Sequence, residues 1–228
     1  MSQFRLASAS VSAPEMSHPK SADWVLLLHG LFASRRSMRH LECAIYNHGY
    51  PVLNWGYPTW WHSTDSHVSR LLPLLDALQS NSQVRSINFV TQSMGGILVR
   101  SALHTKRYSK VRRFVMLAPP NRGSHLTRIK LGPFAWCVPA IADLSEAPDS
   151  LPNRLSTPRL VQIGIIAASR DLIVPVANTT LENQCDHCLV PSSHFSLPKD
   201  EMAVSQTIRF LQTGKFSQPA ITPSRLAA

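Results

Sequence analysis

The sequence of 228 residues has few cysteines, few acidic residues and no long apolar run. Four cysteines are too few in a chain of this length to build a disulfide scaffold. No run approaches the roughly 18 apolar residues that a membrane-spanning helix needs. Residues 1–20 lack the continuous apolar core of a secretory signal. We therefore expect a cytoplasmic protein whose cysteines are thiols, with any membrane contact restricted to its periphery.

The shortage of acidic residues leaves a large positive charge. There are 23 lysines and arginines against 13 aspartates and glutamates, a formal net charge of +10. A surplus of this size attracts anionic surfaces such as nucleic acid or phospholipid. The basic residues are scattered and are not interleaved with aromatic residues, so we expect no nucleic-acid partner. Two interpretations stay open, namely a solvated basic surface and peripheral contact with an anionic membrane.

Cys185 and Cys188 form the segment Cys-Asp-His-Cys, which has the spacing of half a metal site. A structural zinc site needs a second pair of ligands, whereas Cys43 and Cys137 stand alone. We expect plain thiols here, with no bound metal and no organic cofactor.

The sequence does contain a regular alternation of apolar runs and helical patterns. With 44% hydrophobic and 16% charged residues the composition is that of a globular protein, and the length suits one domain. Short apolar runs predict six strands at residues 23–28, 51–55, 84–90, 113–118, 160–167 and 188–190. Apolar residues at helical spacing predict helices at residues 37–47, 65–78, 97–103 and 200–211. This alternation predicts an α/β fold, with a mostly parallel central sheet and helices on both faces.

The same pattern divides the chain into segments. Residues 1–20 are predicted to be a flexible lead-in, residues 21–213 the α/β domain, and residues 214–228 a loose tail. Residues 121–158 interrupt the alternation with 38 residues rich in Pro, Ser and Arg. Because long insertions in compact domains are usually functional or mobile, we expect residues 121–158 to form a lid.

One serine stands out, in the segment Asn88-Phe89-Val90-Thr91-Gln92-Ser93-Met94-Gly95-Gly96-Ile97. Ser93 follows a predicted strand and precedes a predicted helix, which is the context of the nucleophile elbow G-x-S-x-G. Such a tight turn brings backbone segments together, which explains the small residue Gly95. The N-terminus of the helix also offers N–H groups to a developing oxyanion. Thr91 stands where the motif has its first glycine, and its branched side chain needs more room.

A serine nucleophile needs a histidine base and a carboxylate that orients the histidine. Asp171 follows the predicted fifth strand and His194 follows the sixth, so both lie at carboxyl ends of strands. The chain order serine, acid, histidine is the order that accompanies a nucleophile elbow. Asp143 in the insertion is the alternative acid. Asp186 and His187 are adjacent in a predicted strand and point to opposite faces, so they cannot both face the serine.

Five segments together resemble the α/β-hydrolases, and within them the small lipase/esterase group that includes bacterial triacylglycerol lipases. They extend over residues 23–211 and comprise Leu26-Leu27-Leu28-His29-Gly30-Leu31-Phe32, Thr91-Gln92-Ser93-Met94-Gly95-Gly96, Leu117-Ala118-Pro119-Pro120-Asn121-Arg122-Gly123-Ser124, and the segments around Asp171 and His194. Some members of this group deacylate lipids or lipid anchors, and others act on small soluble esters.

The resemblance implies a role for five residues. Ser93 would be the nucleophile, His194 the general base and then the general acid, and Asp171 its orienting carboxylate. The backbone N–H groups of Leu31 and Met94 would form the oxyanion hole. No metal or organic cofactor is needed for this chemistry.

Two further expectations concern the surroundings of the triad. His29 is expected to brace the oxyanion loop. Four aromatic residues either line an acyl pocket or belong to the core: Trp60, Trp61, Phe134 and Trp136.

The leading function is a serine hydrolase of carboxylic esters, with acyl or lipid esters as expected substrates. The alternatives are a thioesterase or acyltransferase with the same residues, and a non-catalytic binding module on the same fold.

Overall fold

The computed structural model of the protein describes residues 21–125 and 138–217. Its strands are β1 (Ala22–Leu28), β2 (Val52–Trp55), β3 (Val84–Gln92), β4 (Val111–Leu117), β5 (Gln162–Ala168) and β6 (Asp186–Val190). They form one sheet in the order β2-β1-β3-β4-β5-β6, and every neighbouring pair is parallel. All six carboxyl ends therefore lie at one edge of the sheet, where ligands of open α/β sheets bind.

Within the described residues, six α-helices accompany the sheet: α1 (Arg39–Asn47), α2 (Thr64–Ser80), α3 (Met94–Thr105), α4 (Pro139–Asp143), α5 (Leu151–Arg154) and α6 (Glu201–Thr213). Helices α4 and α5 are short and belong to the predicted insertion. Among the described residues, no helix has the length and apolar character that crossing a membrane would require.

Buried apolar side chains line both faces of the sheet. On one face, strand residues such as Leu26 and Phe89 pack with α2 and α3. On the other face, Leu27 and Val115 pack with α1 and α6. Each fully buried side chain of this kind contributes about 1.5–3 kcal/mol, so near-continuous apolar strands require cover on both sides. The predicted α/β class, with a parallel sheet and helices on both faces, is confirmed.

Ser63 caps the start of α2. Its hydroxyl accepts the backbone N–H of Ser66 at 3.3 Å. Serine is among the preferred capping residues, because its oxygen satisfies an N–H group that has no partner in the first turn. Pro73 lies inside α2.

The segment after α6 is a correction to the predicted loose tail. Helix α6 ends at Gly214, whose φ of 77° suits a glycine cap. Two residues later, Phe216 is buried, with 6% of its surface exposed, and its backbone N–H donates to Asp186 Oδ2 at 2.8 Å. Residues 214–217 therefore pack against β6. The predicted lead-in, the middle of the insertion and the rest of the tail lie outside the described residues.

The first turn of α3 packs tightly against two strands. A Cβ atom at Gly95 would lie 2.8 Å from the carbonyl oxygens of both Leu28 and His29. A Cβ atom at Gly96 would lie 2.6 Å from Met116 Cε and 3.2 Å from Thr91 Oγ1. The branched side chain of Thr91 therefore fits because the facing helix residue has no side chain.

Substitution by alanine should affect the free energy of unfolding differently at Gly95 and at Gly96. We expect Gly95→Ala to lower the free energy of unfolding by about 2–3 kcal/mol, because the added carbon meets backbone oxygen that cannot move aside. Gly96→Ala should change it by less than about 1 kcal/mol, because Met116 can move and alanine favours the helix. Urea denaturation of both variants measures the difference. Equal destabilisation would contradict the proposed constraint.

Candidate active site

Ser93 lies between β3 and α3 at the carboxyl edge of the sheet. Its backbone has φ 50° and ψ −122°, a strained conformation for a residue with a side chain. Two hydrogen bonds hold it, from the N–H of Ser93 to Leu117 O at 2.8 Å and from the N–H of Gly96 to Ser93 O at 2.9 Å. The chain thus turns from strand into helix within one residue. The Ser93 hydroxyl makes no hydrogen bond to any other described residue.

His194 and Asp171 meet at the same edge. Nδ1 of His194 lies 2.7 Å from Oδ2 of Asp171, and both side chains are almost fully buried. The other carboxylate oxygen accepts the backbone N–H groups of Ile173 and Val174 at 2.8 and 2.9 Å. In addition, Gln92 Nε2 donates to the carbonyl of His194 at 2.9 Å. An imidazole held through Nδ1 by a carboxylate carries its proton there and presents Nε2 as an acceptor.

The other acid and histidine candidates have partners elsewhere. Asp143 Oδ2 accepts the hydroxyl of Thr64 at 2.7 Å and the backbone N–H of Thr64 at 3.3 Å, so it stabilises the start of α2. Asp186 accepts the backbone N–H of His187. Nε2 of His187 lies 2.9 Å from the hydroxyl of Thr179. His194 is therefore paired with Asp171 and not with Asp143.

The loop after β1 runs directly past the serine. A Cβ atom at Gly30 would lie 3.0 Å from Cβ and 3.7 Å from Oγ of Ser93, so a side chain here would crowd the serine. Leu31 follows Gly30, and Met94 opens helix α3 next to Ser93. The backbone N–H groups of Leu31 and Met94 donate to no other residue in the described parts of the chain. Two unpaired N–H groups thus belong to the two segments that adjoin the Ser93 side chain.

Tyr57 holds the loop after β1, residues 29–32, through His29. The Tyr57 hydroxyl donates to the carbonyl oxygen of His29, and the Tyr57 backbone N–H donates to His29 Nε2 at 3.4 Å. The two rings stack with centroids 4.2 Å apart, and His29 Nδ1 donates to Gly30 O at 2.9 Å. Burial lowers the pKa of His29, so its ring is neutral near pH 7. These contacts match the bracing role expected for His29.

A second buried histidine lies behind this pair. The ring of His67 packs on Tyr57, with centroids 4.9 Å apart, and on His62, with centroids 5.6 Å apart. Both ring nitrogens of His67 are buried without a hydrogen-bond partner among the described residues. Burial, followed by the nearby His62, lowers the pKa of His67 to about 4.

Arg100 joins α3 to both ends of the insertion. The Arg100 side chain is 1% exposed and has no carboxylate partner among the described residues. Its guanidinium donates instead to Asn121 Oδ1 at 3.1 Å and to the carbonyl oxygens of Pro152 and Leu155. Burial lowers the pKa of Arg100 to about 10, so the side chain remains charged at neutral pH. The helix that follows Ser93 is therefore fixed to the described ends of the predicted lid.

Exposed apolar side chains collect at the carboxyl edge. Of the seven large apolar side chains exposed in the described residues, five follow strand ends there, and we call them the apolar rim: Phe32, Trp60, Trp61, Leu172 and Phe195. Trp60 and Trp61 are 51% and 63% exposed, so they lie on the surface of this edge instead of in the core. The other two predicted pocket residues, Phe134 and Trp136, lie outside the described residues.

Three of the four cysteines lie in the described residues. Cys43, Cys185 and Cys188 are free thiols, and Cys137 lies outside the described residues. Burial raises the pKa of Cys188 to about 11. Residues 21–125 and 138–217 contain no group of three or more histidine, cysteine or acidic side chains arranged to hold a metal ion.

The sequence interpretation missed Tyr57 and Arg100. Tyr57 sits in an ordinary-looking turn after β2, and no local signal marks its contact with His29. Arg100 could have been identified from the sequence, because it is a charged residue within the apolar run of α3 that packs on the sheet.

Comparison with known proteins gives matches in structure only. No family model and no curated protein sequence matches the chain. The mature form of lipase BlEst2 from Bacillus licheniformis superposes with a TM-score of 0.68 at 17% identity, over 88% of this chain and 95% of that one. Est1E from Butyrivibrio proteoclasticus gives 0.66 at 15% identity, over 86% and 89%.

Phospholipase PlaB from Legionella pneumophila, in complex with thio-NAD, also gives 0.66, at 14% identity and over 84% of this chain. This chain spans 59% of the PlaB length. Identities this low are informative about the fold and not about activity. The parallel sheet, the strand-to-helix turn at Ser93 and these superpositions show that the chain has the α/β-hydrolase fold.

Proposed function

We propose that the protein is a serine hydrolase of carboxylic esters, in which Ser93 is the nucleophile, His194 the general base and Asp171 its orienting carboxylate. The observation that carries this proposal is the 2.7 Å contact between His194 and Asp171 at the sheet edge where Ser93 turns. A serine, a histidine and a buried carboxylate at one edge are the parts that acyl transfer requires.

The reaction proceeds in two halves. Ser93 Oγ attacks the ester carbonyl carbon while its proton passes to Nε2 of His194, and Asp171 stabilises the imidazolium. The carbonyl oxygen becomes an oxyanion, which accepts hydrogen bonds from the N–H groups of Leu31 and Met94. The intermediate collapses as the alcohol leaves with the proton from His194. Water then attacks the acyl-enzyme by the same route and releases the acid.

The apolar rim favours substrates with an acyl chain or a lipid surface. Aromatic and leucine side chains around a catalytic edge can cover the apolar part of an ester, and tryptophan suits the boundary between lipid and water. Two of the structures with this fold are named a lipase and a phospholipase. We therefore propose acyl or lipid esters as substrates, with peripheral contact between the rim and a lipid surface.

Ser93→Ala should abolish hydrolysis of p-nitrophenyl esters while leaving the unfolding temperature unchanged, because the hydroxyl makes no hydrogen bond to the described residues. A fluorophosphonate probe should label Ser93 alone, as peptide mapping would show. Labelling at Ser124 or Ser193 would overturn the assignment of the nucleophile.

Asp171→Asn should lower kcat by about 10⁴-fold, because the imidazole loses its orientation.

Asp143→Asn is the matched control for the acid. It removes the same charge from an aspartate that pairs with Thr64 and not with His194. This variant should keep a wild-type rate and lose some stability at the start of α2. An unchanged rate in Asp171→Asn, combined with a large loss in Asp143→Asn, would move the catalytic carboxylate to Asp143.

Tyr57→Phe tests the bracing of the oxyanion loop. Removing the hydroxyl frees the carbonyl of His29 and lets the loop move, so kcat should fall by about tenfold, a part of the 10²–10³ that a lost oxyanion donor costs. Tyr50→Phe is the control, since its hydroxyl also donates to a backbone carbonyl, that of Leu211. Steady-state kinetics should show an unchanged kcat for Tyr50→Phe, and equal losses would refute the positioning role.

The rim predicts a dependence on acyl-chain length. Leu172→Ser should lower kcat/KM for long-chain esters by about tenfold, the value of one buried leucine contact, and leave short-chain esters unaffected. Leu160→Ser is a matched control, because Leu160 is also exposed but lies before β5, at the opposite edge. An equal response of the two variants, or a loss that is the same for all chain lengths, would contradict the role of the rim.

A further inference from the structure

A hollow lies at the amino edge of the sheet, opposite the edge that carries Ser93. Its volume is about 430 Å³, and the amino ends of β1, β3, β4 and β5 surround it. Four of its lining residues are basic: Arg85, Lys110, Arg112 and Arg113. Since all strands are parallel, this edge is the one farthest from Ser93. We call this feature the basic hollow.

Two irregularities in strand pairing border the basic hollow. Between β1 and β3, Ala22 pairs with Val84 and Asp23 with Ser86, so Arg85 is left out. Between β3 and β4, Ile87 pairs with Val111 and Asn88 with Arg113, leaving out Arg112. Bulges are rare in parallel pairs and re-aim the side chain that they leave unpaired. Both omitted residues are exposed arginines, and both line the same hollow.

The charges in the hollow are unbalanced. Asp23 is the only carboxylate among the lining residues, and it is occupied by Arg85, with contacts of 2.9 and 2.6 Å. The hydrogen bond from Arg85 accordingly lowers the pKa of Asp23. Four positive charges thus face one negative charge in a concave surface.

Two of the remaining cations have structural partners. Lys110 Nζ donates to the carbonyl of Asn81 at 2.7 Å, at the C-terminus of α2. Arg113 donates to the carbonyl of Leu211 in the last turn of α6. Cations at helix C-termini are stabilising, which explains these two residues. Among the four, Arg112 is the one whose side chain makes no hydrogen bond and no ion pair with the described residues.

We propose that the basic hollow is a binding site for a small molecule that carries a phosphate group, with Arg112 as its principal ligand. A guanidinium fork pairs with two phosphate oxygens, and Lys110 and Arg113, which have no carboxylate partner among the described residues, supply further charge from the same surface. The volume lies within the range of small-molecule sites. Leu160, which is 68% exposed, also lines the hollow and offers an apolar contact to the organic part of the ligand.

This site is separate from the proposed esterase chemistry. A lipid surface in contact with the apolar rim would lie at the carboxyl edge, away from the basic hollow. We therefore favour a soluble phosphate compound over a lipid headgroup. Ser93→Ala should bind it as the wild type does, so a failure of the proposed function would not affect this result.

Isothermal titration calorimetry with inorganic pyrophosphate tests the site in the full chain at constant ionic strength. We expect saturable binding, weakened at least about tenfold in Arg112→Gln, because one bidentate pair is lost. Arg39→Gln, which removes an exposed arginine at the start of α1, should bind like the wild type. Unchanged thermal unfolding of both variants would show that the effect is local.

Co-sedimentation with vesicles distinguishes the source of the phosphate. Pyrophosphate binding without retention on phosphatidic acid vesicles supports a soluble ligand. Retention on those vesicles and not on phosphatidylcholine, lost in Arg112→Gln, would support the same phosphate site with a lipid headgroup as its ligand. The proposal is overturned if neither probe binds saturably, or if Arg112→Gln and Arg39→Gln weaken binding equally.

Discussion

The arrangement of the candidate site depends on the close approach between the first turn of α3 and the carboxyl end of β1. Gly95 leaves no room for a side-chain carbon against the carbonyls of Leu28 and His29. This approach requires the chain to turn sharply at Ser93, which explains its positive φ. It also brings the N-terminus of α3 beside the loop that contains Gly30. The nucleophile candidate and both oxyanion candidates are therefore fixed by one backbone packing constraint.

A fully parallel sheet gives the molecule two chemically different edges. The carboxyl edge carries the buried pair of His194 and Asp171 together with the apolar rim. The amino edge carries helix C-termini and the cations that balance them, including Arg113. The net charge of +10 is therefore distributed unevenly over the surface, because four basic side chains and one carboxylate line the basic hollow. The proposed ester chemistry and the proposed anion site therefore lie at opposite edges of the sheet.

Much of this fold was predictable because apolar periodicity and chain order are local signals. The six strands followed from short apolar runs, and Asp171 and His194 followed from their positions after the fifth and sixth strands. The choice between Asp171 and Asp143 remained open in the sequence, because only the folded chain shows which carboxylate reaches the histidine. Tyr57 and Arg100 act through contacts between segments distant in sequence, which no local pattern encodes. The strand register shifts are equally invisible without the neighbouring strands.

The unpartnered burial of His67 has a consequence for acid tolerance. In the folded protein its pKa is lowered to about 4, whereas in the unfolded chain the ring has the ordinary value of about 6.5. As the pH falls through this interval, the unfolded state takes up a proton that the folded state refuses, so acid favours unfolding. Burial lowers the pKa of His187 in the same way, to about 4. Both histidines therefore lower the stability of the fold as the pH falls from about 6.5 towards 4, through a proton uptake that is separate from any step at the candidate active site.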